Sequence, residues 1–230
     1  MNTPITGLPG VGNSRVATPR EILAGNAAFA QFVPGLRTID GTKCRDPLNS
    51  PDVDVLRAGT LMGKINNGKY AVSIMGVATA ATAVGGTSLS VTPAVAIEIT
   101  RRLGSSGNLK ITGPATAGGT VVTQALLFSA VNTTAGTITI ASASSAFIAG
   151  SFVQAADGSD TPICILGNRW GVKCTDMSSV SVDVLEDQLL IAGHIKTANI
   201  VNYPADPALA AWVKSMLRAS CPSFTFDDSF

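Results

Sequence analysis

Residues 55–71 read VLRAGTLMGKINNGKYA, and the fold class turns on them. Val55 and Leu56 open a short strand, and Ala58-Gly59-Thr60 supplies a tight bend. Leu61, Gly63 and Ile65 then alternate with Met62 and Lys64, the period of two that puts successive side chains on opposite faces of a strand. Gly63 falls on the apolar face, where a missing side chain marks a close backbone approach. Asn66-Asn67-Gly68 tolerates the positive φ of a hairpin turn, and Lys69-Tyr70 begins a third strand. The chain before this unit reads as an arm that builds no core. The chain after it reads as a β body that closes around it or is inserted into it.

Composition agrees with a β-rich structural module. Charged residues make up 13% of the 230, about half the usual share. The net charge of +1 and the 46% hydrophobic content are too apolar and too neutral for disorder. A surface this poor in charge suits a subunit packed against neighbours. Lysine and arginine are nowhere dense enough for a nucleic-acid surface. The first twenty residues hold Pro4, Pro9 and Pro19 and no apolar core, so neither a signal peptide nor a membrane span is expected. Cys44, Cys164, Cys174 and Cys221 lack metal-ligand spacing; either Cys164 and Cys174 face each other across strands, or all four are buried free thiols.

Working outward from the central unit, residues 1–17 are extended and unpatterned. Thr18-Pro19-Arg20-Glu21 matches a helix-capping box, so Ile22, Leu23, Phe29 and Phe32 are expected on a short helix that Pro34-Gly35 ends. Residues 36–54 are irregular. An arm of this kind wraps over its own domain or reaches a neighbouring subunit; the sequence leaves both open. Downstream, Thr92-Pro93 starts a helix with Val95, Ile99 and Leu103 on one face and Gly104 as its C-cap. Glu98, Arg101 and Arg102 read as its solvated face. Strands follow at 109–111, 121–131, 136–141 and 151–155, then at 162–166, 171–174, 180–185 and 189–192, with a last extended piece at 198–203. Asp206-Pro207 caps a C-terminal helix with Leu209, Val213, Met216 and Leu217 in one stripe and Trp212 alongside. The tail after Cys221-Pro222 holds Phe224, Phe226 and Phe230, and it either returns to its own core or pins into a neighbour.

The expected fold is mainly β with a few short helices. A small β-barrel or sandwich-like core (55–76 plus 157–203) is interrupted by a second β-rich unit with one helix (77–156). An extended N-terminal arm with one short helix (1–54) precedes it, and a C-terminal helix and tail (204–230) follow. Groups for catalysis are scarce. His194 is the sole histidine and has no serine or cysteine motif beside it, and the Asp183/Glu186/Asp187 and Asp227/Asp228 groups lie in a turn and in the tail. A carbohydrate-binding or hydrolytic module would need an exposed aromatic platform or an acid pair, and Trp170 with Asp176 comes nearest. No catalytic residue, metal or cofactor is expected.

Residues 55–65 together with Gly68-Lys69-Tyr70 resemble the opening strand pair of tailed-phage head decoration (cement) proteins. Residues 162–166, 182–190 and Gly193-His194-Ile195 fall where that domain closes, and residues 199–212 (NIVNYPADPALAAW) resemble the end of its larger members. The resemblance covers roughly 55–76 and 157–217; the unit at 77–156 and the long arm depart from the small members. It implies a virion structural protein, made in the host cytoplasm, that sits as a trimer on the outer capsid surface. Its partners would be the major capsid protein and itself, with no direct contact to nucleic acid or membrane. Arm and tail would clamp neighbouring capsomers, with Phe29, Phe32, Trp212, Phe224, Phe226 and Phe230 as interface candidates. The alternative is a phage tail, fibre or baseplate structural protein, which shares this composition.

Overall fold

The computed structural model describes residues 20–25, 29–176 and 178–229. In chain order the strands are β1 (Gln31–Phe32), β2 (Arg37–Ile39), β3 (Val55–Leu56), β4 (Leu61–Lys64), β5 (Tyr70–Val72), β6 (Gly76–Val77) and β7 (Ser88–Ser90). Helix α1 (Pro93–Leu103) precedes β8 (Gly107–Pro114), β9 (Val121–Asn132), β10 (Thr137–Ile140), β11 (Phe152–Ala155), β12 (Cys164–Leu166), β13 (Val172–Lys173), β14 (Val184–Glu186) and β15 (Leu189–Lys196). Helix α2 (Pro207–Ser220) and β16 (Phe224–Asp227) finish the chain. The fold is mixed α/β and β-rich overall, with sheets, one curled into a half-barrel, and two short helices.

An eight-stranded sheet runs β1-β15-β12-β4-β5-β2-β14, with β16 added to β15. A six-stranded sheet runs β6-β11-β8-β9-β10-β7, all from residues 76–155, and β13 pairs with β3 in a two-stranded ladder. The stretch at 55–71 sits in the eight-stranded sheet as its sequence requires. The Gly68 N–H donates to the Ile65 carbonyl to close the turn, Gly68 has φ +89°, and Met62, Gly63 and Lys64 stand opposite Val72, Ala71 and Tyr70. Gly63 is where the backbones approach: a Cβ there would collide with the Ser159 carbonyl, with Ser159 Cα also only 2.7 Å away. Because that obstacle is backbone, Gly63→Ala is expected to lower unfolding free energy by about 3 kcal/mol, read by chemical denaturation.

Three apolar clusters hold the layers together. Under α1, Val95, Ala96 and Ile99 pack on Leu109, Ile111, Leu126, Phe128 and Val153 from one face of the six-stranded sheet. Under α2, Leu209, Val213 and Leu217 meet Ile22, Phe152, Ile195 and Phe224. A third cluster joins Ile39, Cys44, Leu56, Met62, Leu166 and Leu189. Both helices begin as their sequences dictate. Thr92 Oγ1 accepts from Val95 N–H, and the Asp206 carboxylate accepts from Ala208 and Leu209 N–H, which satisfies donors that a helix start leaves free.

Several expectations are corrected. Over the described residues the segment around Ile22 and Phe32 forms no α-helix; Phe29 lies in a 3-10 turn, and the chain on either side of it pairs with β15. Ala24 N–H donates to the His194 carbonyl, Lys196 N–H donates to the Ile22 carbonyl, and β1 stands opposite Ala192 and Leu190. A sequence of weak helix propensity broken by Gly25 is overridden by an available strand edge and by burial of Ile22. Thr18 and Pro19 lie outside the described residues. Residues 36–54 are not all irregular, since Arg37–Ile39 forms a strand between β5 and β14 and buries Ile39 fully. At 180–185 the strand is only Val184–Glu186, and at 198–203 a 3-10 turn (Thr197–Asn199) replaces the extended piece.

Glu98 and Arg102 are also not on a solvated face; both are buried. Helix α1 ends against β5 and the loop at 157–159, and Arg102 reaches into that junction. Its guanidinium donates to the Val72 carbonyl (2.7 Å), Ser159 Oγ (2.6 Å) and the Asp157 carboxylate (3.0 and 3.2 Å). Arg101 pairs with Glu98 and donates to the Thr42 carbonyl, while Lys43 Nζ donates to the Arg102 carbonyl. The last turn of α1 is thereby bolted to the segment at 42–43.

Candidate interaction surface

Among the described residues, the first and the last pair with the same strand. Leu23 bridges Ile195, β1 pairs with β15 antiparallel, and β16 lies parallel to β15 with Gly193 opposite Phe224 and Lys196 opposite Asp227. The N-terminal partner brings large apolar side chains outward: Phe29 is 76% exposed, Phe32 40% and Leu36 58%. Strand β1 is two residues long with both side chains exposed, so its backbone is held by β15 while its side chains face away from the core.

The other aromatic candidates pack within the chain. Phe224 is 1% exposed and belongs to the core under α2. Phe226 is half-buried beside it, ring centroids 6.2 Å apart, beneath Arg218 at 5.1 Å and Lys214 at 5.8 Å. Trp212 packs on Phe152 at 5.8 Å with a 47° tilt. Phe230 lies outside the described residues. Of the two sequence options for the tail, the structure shows return to its own core over residues 224–229. Its carboxylates fasten it further. Hydrogen bonds from the Ser229 hydroxyl and N–H hold the Asp227 carboxyl below its ordinary range, and hydrogen bonds from Lys214 and Thr197 do the same for Asp228.

Leu36 was not singled out by sequence, although it directly follows Pro34-Gly35, a turn that exposes what comes next. Leu185, Val180 and Val182 are exposed around β14 as well, because their alternating pattern meets no covering layer.

His194 Nδ1 lies 2.8 Å from Thr225 Oγ1, and Nε2 lies 3.8 Å from Asp227. This hydroxyl–imidazole–carboxylate row was not legible in the sequence, because it forms only when β16 docks beside β15. It stands on an open strand pair, its carboxylate is beyond hydrogen-bond reach of the ring, and it reads as a fastening of the tail. All four cysteines are free and buried, so the facing pair Cys164–Cys174 is not formed. Burial pushes the Cys164 and Cys221 thiols up, and a hydrogen bond with Cys44 together with burial pushes Cys174 up; thiols so placed stay protonated and unreactive. Asp176 spends its carboxylate on the N–H groups of Ser178 and Val180, and Arg169 lies 5.3 Å from the Trp170 ring centroid, so the two do not form a sugar platform. Among the described residues no three His, Cys, Asp or Glu gather as a metal site, and no helix is long and apolar enough to cross a membrane. Among the described residues lie hollows of about 130 Å³ between Arg45, Val53 and Ile97 and of about 290 Å³ between Val77, Gly150 and Tyr203.

No family model, curated protein or solved structure matches this chain. Phe29, Phe32 and Leu36 expose large apolar side chains within a short span of the chain. Large apolar groups brought to the surface on and beside a short edge strand form the kind of feature that protein contacts use, with aromatics as anchors.

Proposed function

We propose that the chain is a virion structural protein that binds the outer surface of an assembled phage capsid and stabilises it by clamping neighbouring capsomers. In this reading the residues 55–76 and 157–203 form a decoration-like β core that associates as a trimer. Residues 77–156 are a unit inserted into that core, and residues 1–54, which also lend β1 and β2 to the eight-stranded sheet, grip through their exposed apolar side chains. The observation that carries the reading is the outward-facing set Phe29, Phe32 and Leu36 on an arm anchored to β15. The resemblance of residues 55–70 to decoration proteins supplies the partner, the major capsid protein. Binding that requires the assembled lattice stabilises it by mass action.

Co-sedimentation of the purified chain with assembled shells tests this. The double variant Phe29→Ser/Phe32→Ser, whose changes lie on exposed positions, is expected to bind about ten-fold more weakly with unchanged melting temperature. Equal binding by wild type and variant would remove the arm from the account.

A further inference from the structure

Strand β9 is twelve residues long, yet β10 pairs with it only between Phe128 and Asn132. The last contact on that side is the hydrogen bond from Ala141 N–H to the Leu127 carbonyl, at 2.7 Å. From Val121 to Leu126 the strand is paired with β8 alone. Since backbone direction alternates along a strand, the groups of Val121, Thr123 and Ala125 face the same open side as the Leu127 carbonyl. Val122, Thr123, Ala125 and Leu127 are all exposed, Leu127 at 62%. The loop that leaves β10 does not close this edge. It passes to the inner face, where Ser144 and Ser145 N–H donate to the Gln124 side chain and Phe147 pairs with Thr82.

This edge differs from the free edges of the eight-stranded sheet. Those carry what keeps strands apart: Asp183 and Asp187 around β14, Asp227 at the end of β16 with Asp228 after it, and Pro34 just after the two-residue β1. The β9 edge reads VVTQAL, with no proline, and no charged residue occurs anywhere from 111 to 156. The nearest cation on the adjoining strand, Lys110, is taken up by Asp160 at 2.6 Å. An open, uncharged edge of high β propensity is a pairing site in waiting.

We propose that two copies of this chain pair here, β9 against β9, antiparallel about a two-fold axis. Charge selects the occupant. A charged strand laid on this edge would lose hydration with nothing to replace it, whereas the same edge of a second copy brings no charge and no repulsion. Geometry permits it as well, because an antiparallel contact between identical strands is self-complementary. Centred on Thr123, the pairing sets Val121 opposite Ala125 of the second copy, forms about six hydrogen bonds from three hydrogen-bonded residue pairs, and ends before Leu127, whose carbonyl already accepts from Ala141 N–H. The inference does not rest on the capsid reading. A three-fold association through another face coexists with it, the two-fold then joining one trimer to the next.

Sedimentation velocity of the full chain across a concentration series tests it. Wild type is expected to associate, and Thr123→Lys or Thr123→Glu, which put like charges directly opposite each other, are expected to halve the particle mass and weaken association about ten-fold or more. An equimolar mixture of the two variants is expected to restore the wild-type mass, an outcome that misfolded variants cannot produce. Wild type that stays monomeric, a mass unchanged by Thr123→Lys, or a mixture that fails to associate overturns the proposal. Capsid binding measured separately on Thr123→Lys keeps the two readings distinguishable.

Discussion

Replacing Arg102 by Met is expected to lower the free energy of unfolding by about 3 kcal/mol, because it leaves buried partners of a charged group without their donor. In a chain of this size that corresponds to a fall of about 10 °C in melting temperature. The Arg102 guanidinium touches β5, Asp157 and Ser159 together, so its loss loosens the return of the chain from the six-stranded sheet. The same junction makes stability depend on pH. Burial raises the Asp157 carboxyl, but the Arg102 guanidinium and the hydrogen bonds from Ser159 outweigh it and hold the group below its ordinary value. A carboxylate depressed in the folded state contributes stability that is present above its unfolded pKa of about 4 and lost as pH falls through the folded value. Melting temperature is thus expected to fall on acidification below about pH 4, and less steeply in Asp157→Asn than in wild type. Thermal melts followed by circular dichroism from neutral to acid pH read both effects.

Phe224→Ala is expected to cost about 3 to 4 kcal/mol by urea denaturation, whereas Phe226→Ala costs about 1 kcal/mol. The two residues lie two apart on one strand, but Phe224 fills the cluster beneath α2 while Phe226 is half-buried with the Lys214 ammonium and Arg218 guanidinium over its ring. Equal costs for the two would mean that the tail does not dock with Phe224 inward. Truncation after Cys221 is expected to match or exceed Phe224→Ala, since it also removes the ladder to β15 and the Lys214–Asp228 pair.

What the sequence made legible followed local rules. The turn at 66–68, the close approach at Gly63, and both helices with their caps at Thr92 and Asp206 are set by residues within a few positions of one another. What it hid depends on distant chain. The segment around Ile22 and Phe32 carries a helix-like start, and only the open side of β15, some 170 residues away, draws it into extended pairing. Arg102 looked like a solvated cation because its acceptors, the Val72 carbonyl and the Asp157–Ser159 loop, are far off in sequence. For the interaction surface, Phe29 and Phe32 were legible only as interface candidates on an expected helix, not as exposed side chains on and beside a strand. Phe224 was not separable from them, because an aromatic in a tail reads the same whether it anchors inward or outward. The open half of β9 was invisible for a related reason: its length was readable, but the early end of β10 matters only once the two are paired.

The capsid reading is tested most directly by quantitative mass spectrometry of purified particles that carry this chain. The account predicts a stoichiometry comparable to that of the shell protein, with the chain lost from particles when Phe29→Ser/Phe32→Ser replaces wild type. A few copies per particle, or none, would contradict it.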